Sequence, residues 1–164
     1  MHFSSWHKIL TSARTVKYGL NIWPPFLFSG IRVTEIAKDF RSVQVKLHSN
    51  FFNRNYVGTH FGGSLYAMSD PFFMLMLMRN LSSKYFVWDQ EAKIVFVKPG
   101  RETVSLEAQI TEDDLTEIKE KTQAGEKYIK VFRAQILSEK KQVVCELEKK
   151  VYIRLKPEFR PKTS

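Results

Sequence analysis

At 164 residues, 43% hydrophobic and 26% charged, the chain suits one domain with its own core and is unlike a disordered or fibrous polypeptide. Its single cysteine, Cys145, excludes an internal disulfide and a thiolate metal cluster and fits a reducing, cytoplasmic setting. The formal net charge of +9 is spread along the chain without zinc-knuckle spacing or an RNP-like aromatic motif, which argues for a solvated basic surface and against a nucleic-acid partner.

The opening segment places Trp6, Ile9, Leu10, Ala13, Val16 and Leu20 at three- and four-residue steps, which predicts an amphipathic helix ending around Gly19 to Asn21. No acidic residue precedes Glu35, and Ser4, Ser5 and Ser12 give a faint likeness to an organelle transit segment, but the apolar core of a secretory signal is missing. The segment is read as a helix docked on the fold rather than one lying on a membrane. Asn21 to Phe26, NIWPPF, predicts an extended turn through Pro24 and Pro25. From Gly30 the period becomes two: Ile31 and Val33 open a strand, Lys38 to Arg41 reads as a turn, and Val43, Val45 and Leu47 alternate with Gln44, Lys46 and His48.

Leu65 to Met78 follows as one strongly apolar helix, in which Met74, Met76 and Met78 with Phe72, Phe73 and Leu77 read as core. Its purest run, Phe72 to Met78, is too short to span a bilayer, so no transmembrane segment is predicted. Ile94 to Val97 reads as a strand buried on both faces and stopped by Pro99 and Gly100. Val104, Leu106, Ala108 and Ile110 make a strand with one wet face. Thr111 with Asp114 predicts a capping box for a short helix through about Ala124, closed by Gly125. Tyr128 to Leu137 and Val143 to Leu155 are the last two strands, joined by a turn at Glu139 to Gln142, and Cys145 falls in the second of them as a small core residue. The tail from Pro157 is expected to be loosely ordered. The whole of 1–164 is thus one domain, with 1–28 as helix and linker and 157–164 as tail. A helix apolar on nearly all sides must be enclosed, and a curved antiparallel sheet can wrap it.

The candidate chemistry lies between Asn55 and Asp70, in NYVGTHFGGSLYAMSD. Gly62 and Gly63 ahead of a helix leave its first amide groups bare, a start that attracts an anion or a carbonyl oxygen becoming negative in a reaction. A tight turn needing positive φ accounts for the same pair equally well. Asp70 is a carboxylate inside an apolar element, which is costly unless it is paired or used. It also precedes Pro71, so it could equally be a helix cap with the proline in the first helical position. Asn55 reads as a turn residue or as a polar group for the same site. His2, His7, His48 and His60 have no metal-like spacing, and no metal or cofactor is predicted.

A strand pair, Asn55 ahead of Gly58-Thr59, Gly62-Gly63 opening a helix that holds Asp70, and a strand ending in Lys98-Pro99-Gly100 together resemble the hotdog-fold thioesterases, nearest to the phenylacetate-pathway type. The pattern is also similar to a hotdog branch with an N-terminal helix and a WPPF-like segment, and the likeness runs from about Trp6 to Leu155. It implies an α+β hotdog fold, a curved antiparallel sheet around a central helix, and hydrolysis of an acyl-CoA or another acyl thioester. On this resemblance the Gly62 amide polarises the carbonyl, Asp70 is base or nucleophile, and Asn55 orients water or the thioester. Gly63, Phe61 and His60 would contact substrate, while Lys98 and Arg101 would offer charge to the coenzyme A phosphates. The site would form across a homodimer or a dimer of dimers, with Asp70 from the opposite subunit. Phe61 departs from the phenylacetate type, which has histidine there. A catalytically silent hotdog domain that binds acyl chains or serves in assembly shares every one of these fold signals.

Overall fold

The structure, a computed structural model, describes residues 12–161, so Trp6, Ile9 and Leu10 of the expected first helix lie outside the described residues. Helix α1, Ala13–Ile22, starts at Ser12, whose hydroxyl accepts from the Thr15 amide at 3.1 Å. The helix is docked through Asn21, a buried amide that reads the backbone of Val33 in both directions: Nδ2 donates to its carbonyl at 2.9 Å and Oδ1 accepts from its N–H at 2.8 Å. The extended turn expected through Pro24 and Pro25 is not there. Only Trp23 is extended, with φ −64° and ψ 125°, and the two prolines open a short helix α2, Pro24–Ser29. Proline sterics act on the residue before the ring, while the ring itself suits a first helical turn.

Six strands follow in one antiparallel sheet: β1 Ile31–Ile36, β2 Ser42–Leu47, β3 Tyr85–Phe96, β4 Val104–Gln109, β5 Tyr128–Ser138 and β6 Val143–Leu155, in the spatial order β1-β2-β4-β5-β6-β3. The sheet curves around a central helical segment and adds the N-terminal helix outside it, which is the hotdog architecture. Val43, Val45 and Leu47 of β2 and Val104, Leu106 and Ala108 of β4 face the core, as their alternation predicts.

The apolar stretch Leu65 to Met78 is not one helix. It divides into α3, Gly62–Ala67, and α4, Phe72–Asn80, with Pro71 at the start of the second. Pro71 has no N–H to continue the ladder and its ring excludes the carbonyl four residues back. The chain therefore tightens, with Ser69 N–H on Tyr66 and Asp70 N–H on Ala67, before α4 starts with Leu75 N–H on Pro71 at 2.9 Å. Phe72, Phe73, Met76 and Leu77 are fully enclosed, and the Phe73 ring stacks on Phe132 at 4.7 Å.

Ile94 to Val97 also departs from expectation. This end of β3 is not buried on both faces: β3 pairs only with β6, and Val95, Phe96 and Val97 are 42%, 55% and 48% exposed. An apolar run marks a need for cover without saying that the same chain supplies it. The tail within the described residues forms a 3₁₀ turn, Pro157–Phe159, rather than a loose end, and Arg160 Nε donates to the Leu155 carbonyl at 2.9 Å.

Helix α5, Glu112–Thr122, closes the sheet beside β5 and β6 with Leu115 and Ile118 turned inward. The expected capping box is present: Thr111 Oγ1 accepts from the Asp114 amide at 3.1 Å and Asp114 Oδ2 accepts from the Thr111 amide at 2.8 Å. Asp114 also meets Lys130 at 2.7 Å, which ties the helix start to β5. Burial works to raise the Asp114 pKa, but hydrogen bonds from Lys130 and Thr111 outweigh it and hold the carboxyl below its usual 3.8. A carboxylate held low in the folded state contributes stability above the unfolded pKa and loses it as pH falls through the folded one. Asp114→Asn should therefore be less stable than the natural chain at pH 7, by about 1 kcal/mol. In urea denaturation the gap should narrow below pH 3.8; a gap unchanged between pH 7 and about pH 3 would sink the argument.

Candidate functional site

The loop between the 3₁₀ turn Phe51–Asn53 and α3 folds on itself and then clips onto the connection between β3 and β4. Asn55 makes the fold. Its Oδ1 accepts from the Val57 and Thr59 amides at 3.1 and 3.0 Å, and its Nδ2 donates to Thr59 Oγ1 at 2.8 Å and to the His60 carbonyl at 3.4 Å. Gly58, at φ 74°, supplies the left-handed step this turn needs. His60 makes the clip: its amide donates to the Gly100 carbonyl at 2.8 Å and its ring Nε2–H donates to the Glu102 carbonyl at 2.8 Å. The ring is enclosed and its Nδ1 meets no partner among the described residues. Burial lowers the His60 pKa from the usual 6.5 against the pull of the Glu102 carbonyl, and Arg54 adds to the lowering, so the ring is held neutral.

This clip opens a cleft of about 470 Å³ between the start of α3 and the end of β3. Asn55, His60, Gly62, Lys98 and Arg101 all line it, together with Phe96. Gly62 and Gly63 both have ordinary φ, so a turn requiring positive φ is not why they are glycines. Close approach is the reason: a β-carbon on Gly62 would stand 3.1 Å from the Phe96 ring, and one on Gly63 would stand 2.4 Å from the Phe61 ring. Neither the Gly62 nor the Gly63 amide meets an acceptor among the described residues. The site thus offers a bare N–H at Gly62, a neutral imidazole and two cations. Gly63 and Phe61 stand outside the lining, and the Phe61 ring is 58% exposed.

Asp70 does not line this cleft. It sits at the joint between α3 and α4, where it caps neither helix by side chain. Its Oδ1 accepts from the Tyr66 hydroxyl at 2.8 Å and from Lys149 Nζ at 3.0 Å. Lys149 reaches on to Asp89 Oδ2 at 2.7 Å and is itself completely buried. Burial works to discharge this lysine, yet the hydrogen bonds it donates to Asp89 and Asp70 outweigh it and its pKa is raised, so it stays an ammonium. Burial raises the Asp89 pKa, and Lys149 opposes the rise. Lys149, Tyr66 and Asp89 were absent from the sequence candidates. One signal was available: Lys149 occupies the inward register of β6, in line with Leu147, Val151 and Ile153, where a charge needs a partner.

Two facts set the distance between the halves. Lys149 lies opposite Ala92 in the β6–β3 register, whereas Phe96, the ring beside Gly62, lies opposite Cys145. Those rows are about 13 Å apart along the strand. Among the described residues no three His, Cys, Asp or Glu side chains converge to hold a metal ion, and no helix is long and apolar enough to cross a membrane.

Comparison with known proteins agrees with the architecture. No curated protein is similar to the sequence. The Pseudomonas aeruginosa protein PA5026, described as a probable thioesterase, superposes with a TM-score of 0.73 at 17% identity over 87% of this chain and 95% of that one. The thioesterase HI1161 from Haemophilus influenzae gives 0.65 at 13% identity over 88% and 91%. A mutant form of the Pseudomonas aeruginosa thioesterase PA1618 gives 0.64 at 10% identity over 86% and 93%. At these identities the likeness is one of fold, and the fold is that of the hotdog-type thioesterases. Residues 12–153 match the family described as "Domain of unknown function (DUF4442)", and the chain, a hotdog-fold protein, belongs to that family.

Proposed function

We propose that this protein hydrolyses an acyl thioester, with coenzyme A as the carrier. The observation that carries the reading is the cleft in which the bare Gly62 amide stands beside two cations, Lys98 and Arg101. A thioester carbonyl seated at Gly62 would find a donor for the negative charge that grows on its oxygen. Asp70 is the reacting carboxylate, acting as base on water or as nucleophile on the carbonyl carbon, with the thiol as leaving group. Asn55, whose hydrogen bonds turn inward, acts by shaping the loop; His60 fixes the cleft against the connection between β3 and β4.

The separation between Gly62 and Asp70 supports a site shared by two copies. The exposed outer edge of β3 can take a second β3, since unpaired edges seek partners. An antiparallel pairing would carry the Asp70 of each copy toward the Gly62 of the other. A second reading, in which the domain binds acyl groups without reaction, draws on the ion pair that already engages Asp70.

Asp70→Asn separates the two. If Asp70 reacts, kcat on a panel of acyl-CoA esters should fall by about 100-fold or more with the fold intact. Turnover unchanged by this substitution would dispose of Asp70 as the reacting carboxylate; the binding reading stands instead if the natural chain hydrolyses none of the esters. The shared site has its own check. Gly62→Pro removes the Gly62 N–H at a first helical position, where proline is tolerated. Mixing these protomers with inactive Asp70→Asn should restore activity, because one composite site then holds both natural residues; no recovery from well-exchanged protomers would place the chemistry within one chain.

The carrier is tested at Arg101. A charge-assisted contact to a phosphate is worth about 1.5–3 kcal/mol, so Arg101→Ala should raise KM for acyl-CoA roughly tenfold or more. KM for the matching N-acetylcysteamine thioester, which lacks the nucleotide, should stay as it was. Equal effects on both substrates would mean that this charge has no part in recognising coenzyme A.

A further inference from the structure

Lys149 has no place in the reading above, yet it is the one lysine, arginine or carboxylate that is completely buried among the described residues. Taking an ammonium out of water is unfavourable unless its protons are met by good acceptors. They are met: Asp89 Oδ2 stands at 2.7 Å and Asp70 Oδ1 at 3.0 Å, with the Tyr66 ring 5.4 Å away under the charge. An ion pair of this kind can be a staple of the fold and nothing more. The way the bonds fall on Asp70 points further.

Both donors, Lys149 Nζ and the Tyr66 hydroxyl, converge on the same oxygen of Asp70, Oδ1. Among the described residues Oδ2 accepts no hydrogen bond, and the side chain remains 48% exposed. Asp89 is the contrast, being 22% exposed, with Oδ2 on the lysine and Oδ1 enclosed without a partner among the described residues. The lysine therefore has one carboxylate behind it as counter-ion and one in front of it that is held but uncovered. Two donors on one oxygen remove rotation about the carboxylate axis and leave the other oxygen facing out in a fixed direction.

We infer that Lys149 and Tyr66 are positioning residues for Asp70: they pin its Oδ1 so that Oδ2 is presented to the thioester, while Asp89 keeps the buried lysine charged from behind. The inference rests on the reading of Asp70 as the reacting carboxylate. Holding a reacting atom in one orientation removes part of the entropic barrier, and a small displacement is costly in rate.

The test measures kcat and KM on straight-chain acyl-CoA esters from acetyl to palmitoyl, using the full chain. Tyr66→Phe deletes one of the two bonds with no change of shape and should lower kcat several-fold at unchanged KM and melting temperature. Lys149→Met leaves Asp89 buried without its partner and can fail to fold, so Lys149→Met with Asp89→Asn serves beside it, removing both buried charges. That pair should lower kcat at least tenfold per folded molecule. In an Asp70→Asn background Tyr66→Phe should add nothing, since a positioning residue acts through the group it holds. Wild-type turnover in Tyr66→Phe and in the paired variant, with Asp70→Asn crippled, would overturn this inference alone. A Tyr66→Phe effect that persists in the Asp70→Asn background would overturn it too. Wild-type turnover in Asp70→Asn would remove Asp70 as the reacting carboxylate and this inference with it, and no hydrolysis of any ester by the natural chain would remove the thioesterase reading as well.

Discussion

Pro71 cannot donate the hydrogen bond that would carry α3 into α4, and its ring excludes the Ala67 carbonyl from the helical position. Everything central in the molecule is arranged around that interruption. Freed from the axis of α3, α4 can lie inside the curve of the sheet and turn Phe72, Phe73, Met76 and Leu77 into the core, while Met78, expected there, stays 39% exposed. The joint itself cannot be sealed in the same way, because its last amides are satisfied by tight turns rather than by a helical ladder. Asp70 sits in that joint, half exposed, at a level where β6 can reach it. A continuous helix would have driven this carboxylate either into the core or along the helix face; the break leaves it at the boundary.

Two lysines with paired carboxylates then stand in contrasting surroundings. Lys130 bridges Asp114 and Glu117 at the start of α5, where Asp114 already completes a capping box. Every partner there has a structural duty, and the cluster ties a helix to a strand. Lys149 bridges Asp70 and Asp89 with no helix to cap and no surface of its own. The β3 bulge between Asp89 and Glu91 falls beside this second cluster, and bulges re-aim side chains where a regular ladder would point them elsewhere. Exposure alone does not separate the clusters, since Glu117 is 41% exposed and Asp70 48%; both Glu117 oxygens are engaged, by Tyr128 and Lys130, whereas Asp70 Oδ2 accepts no hydrogen bond among the described residues.

Much of the fold was legible in local pattern. Val43, Val45 and Leu47, then Val104, Leu106 and Ala108, alternate because each strand turns one face into the core, and a period of two needs no knowledge of partners. The capping box at Thr111 was legible for the same reason, since donor and acceptor lie three residues apart. Pattern misled wherever the deciding contact was distant or absent. NIWPPF was read as extended because proline restrains its neighbour, and Trp23 does obey; the prolines themselves were free to start α2. Ile94 to Val97 looked doubly buried because apolarity records that cover is needed, not where it comes from. The candidate site was partly legible: Gly62, His60, Asn55, Lys98 and Arg101 do meet at one cleft. Lys149 was hidden because the carboxylates that pair with it, Asp70 and Asp89, lie far from it along the chain.

The same edge that misled the reading gives the site its logic. Along β3, Phe86, Trp88, Val95 and Phe96 remain exposed beside an unpaired backbone, although Trp88 stacks on Tyr152 at 4.0 Å. At one end of this edge lies the Gly62 cleft, and about 13 Å along it, at the level of Ala92, lies the Lys149 row that holds Asp70. In the proposed two-chain site an antiparallel partner strand would invert that order, so that an offset within one chain would become a coincidence between two. The carboxylate does not need to move for this, which is consistent with its being pinned by Tyr66 and Lys149. A group that had to swing about 13 Å could not be held by two hydrogen bonds; a group met by a second chain, as proposed, could be.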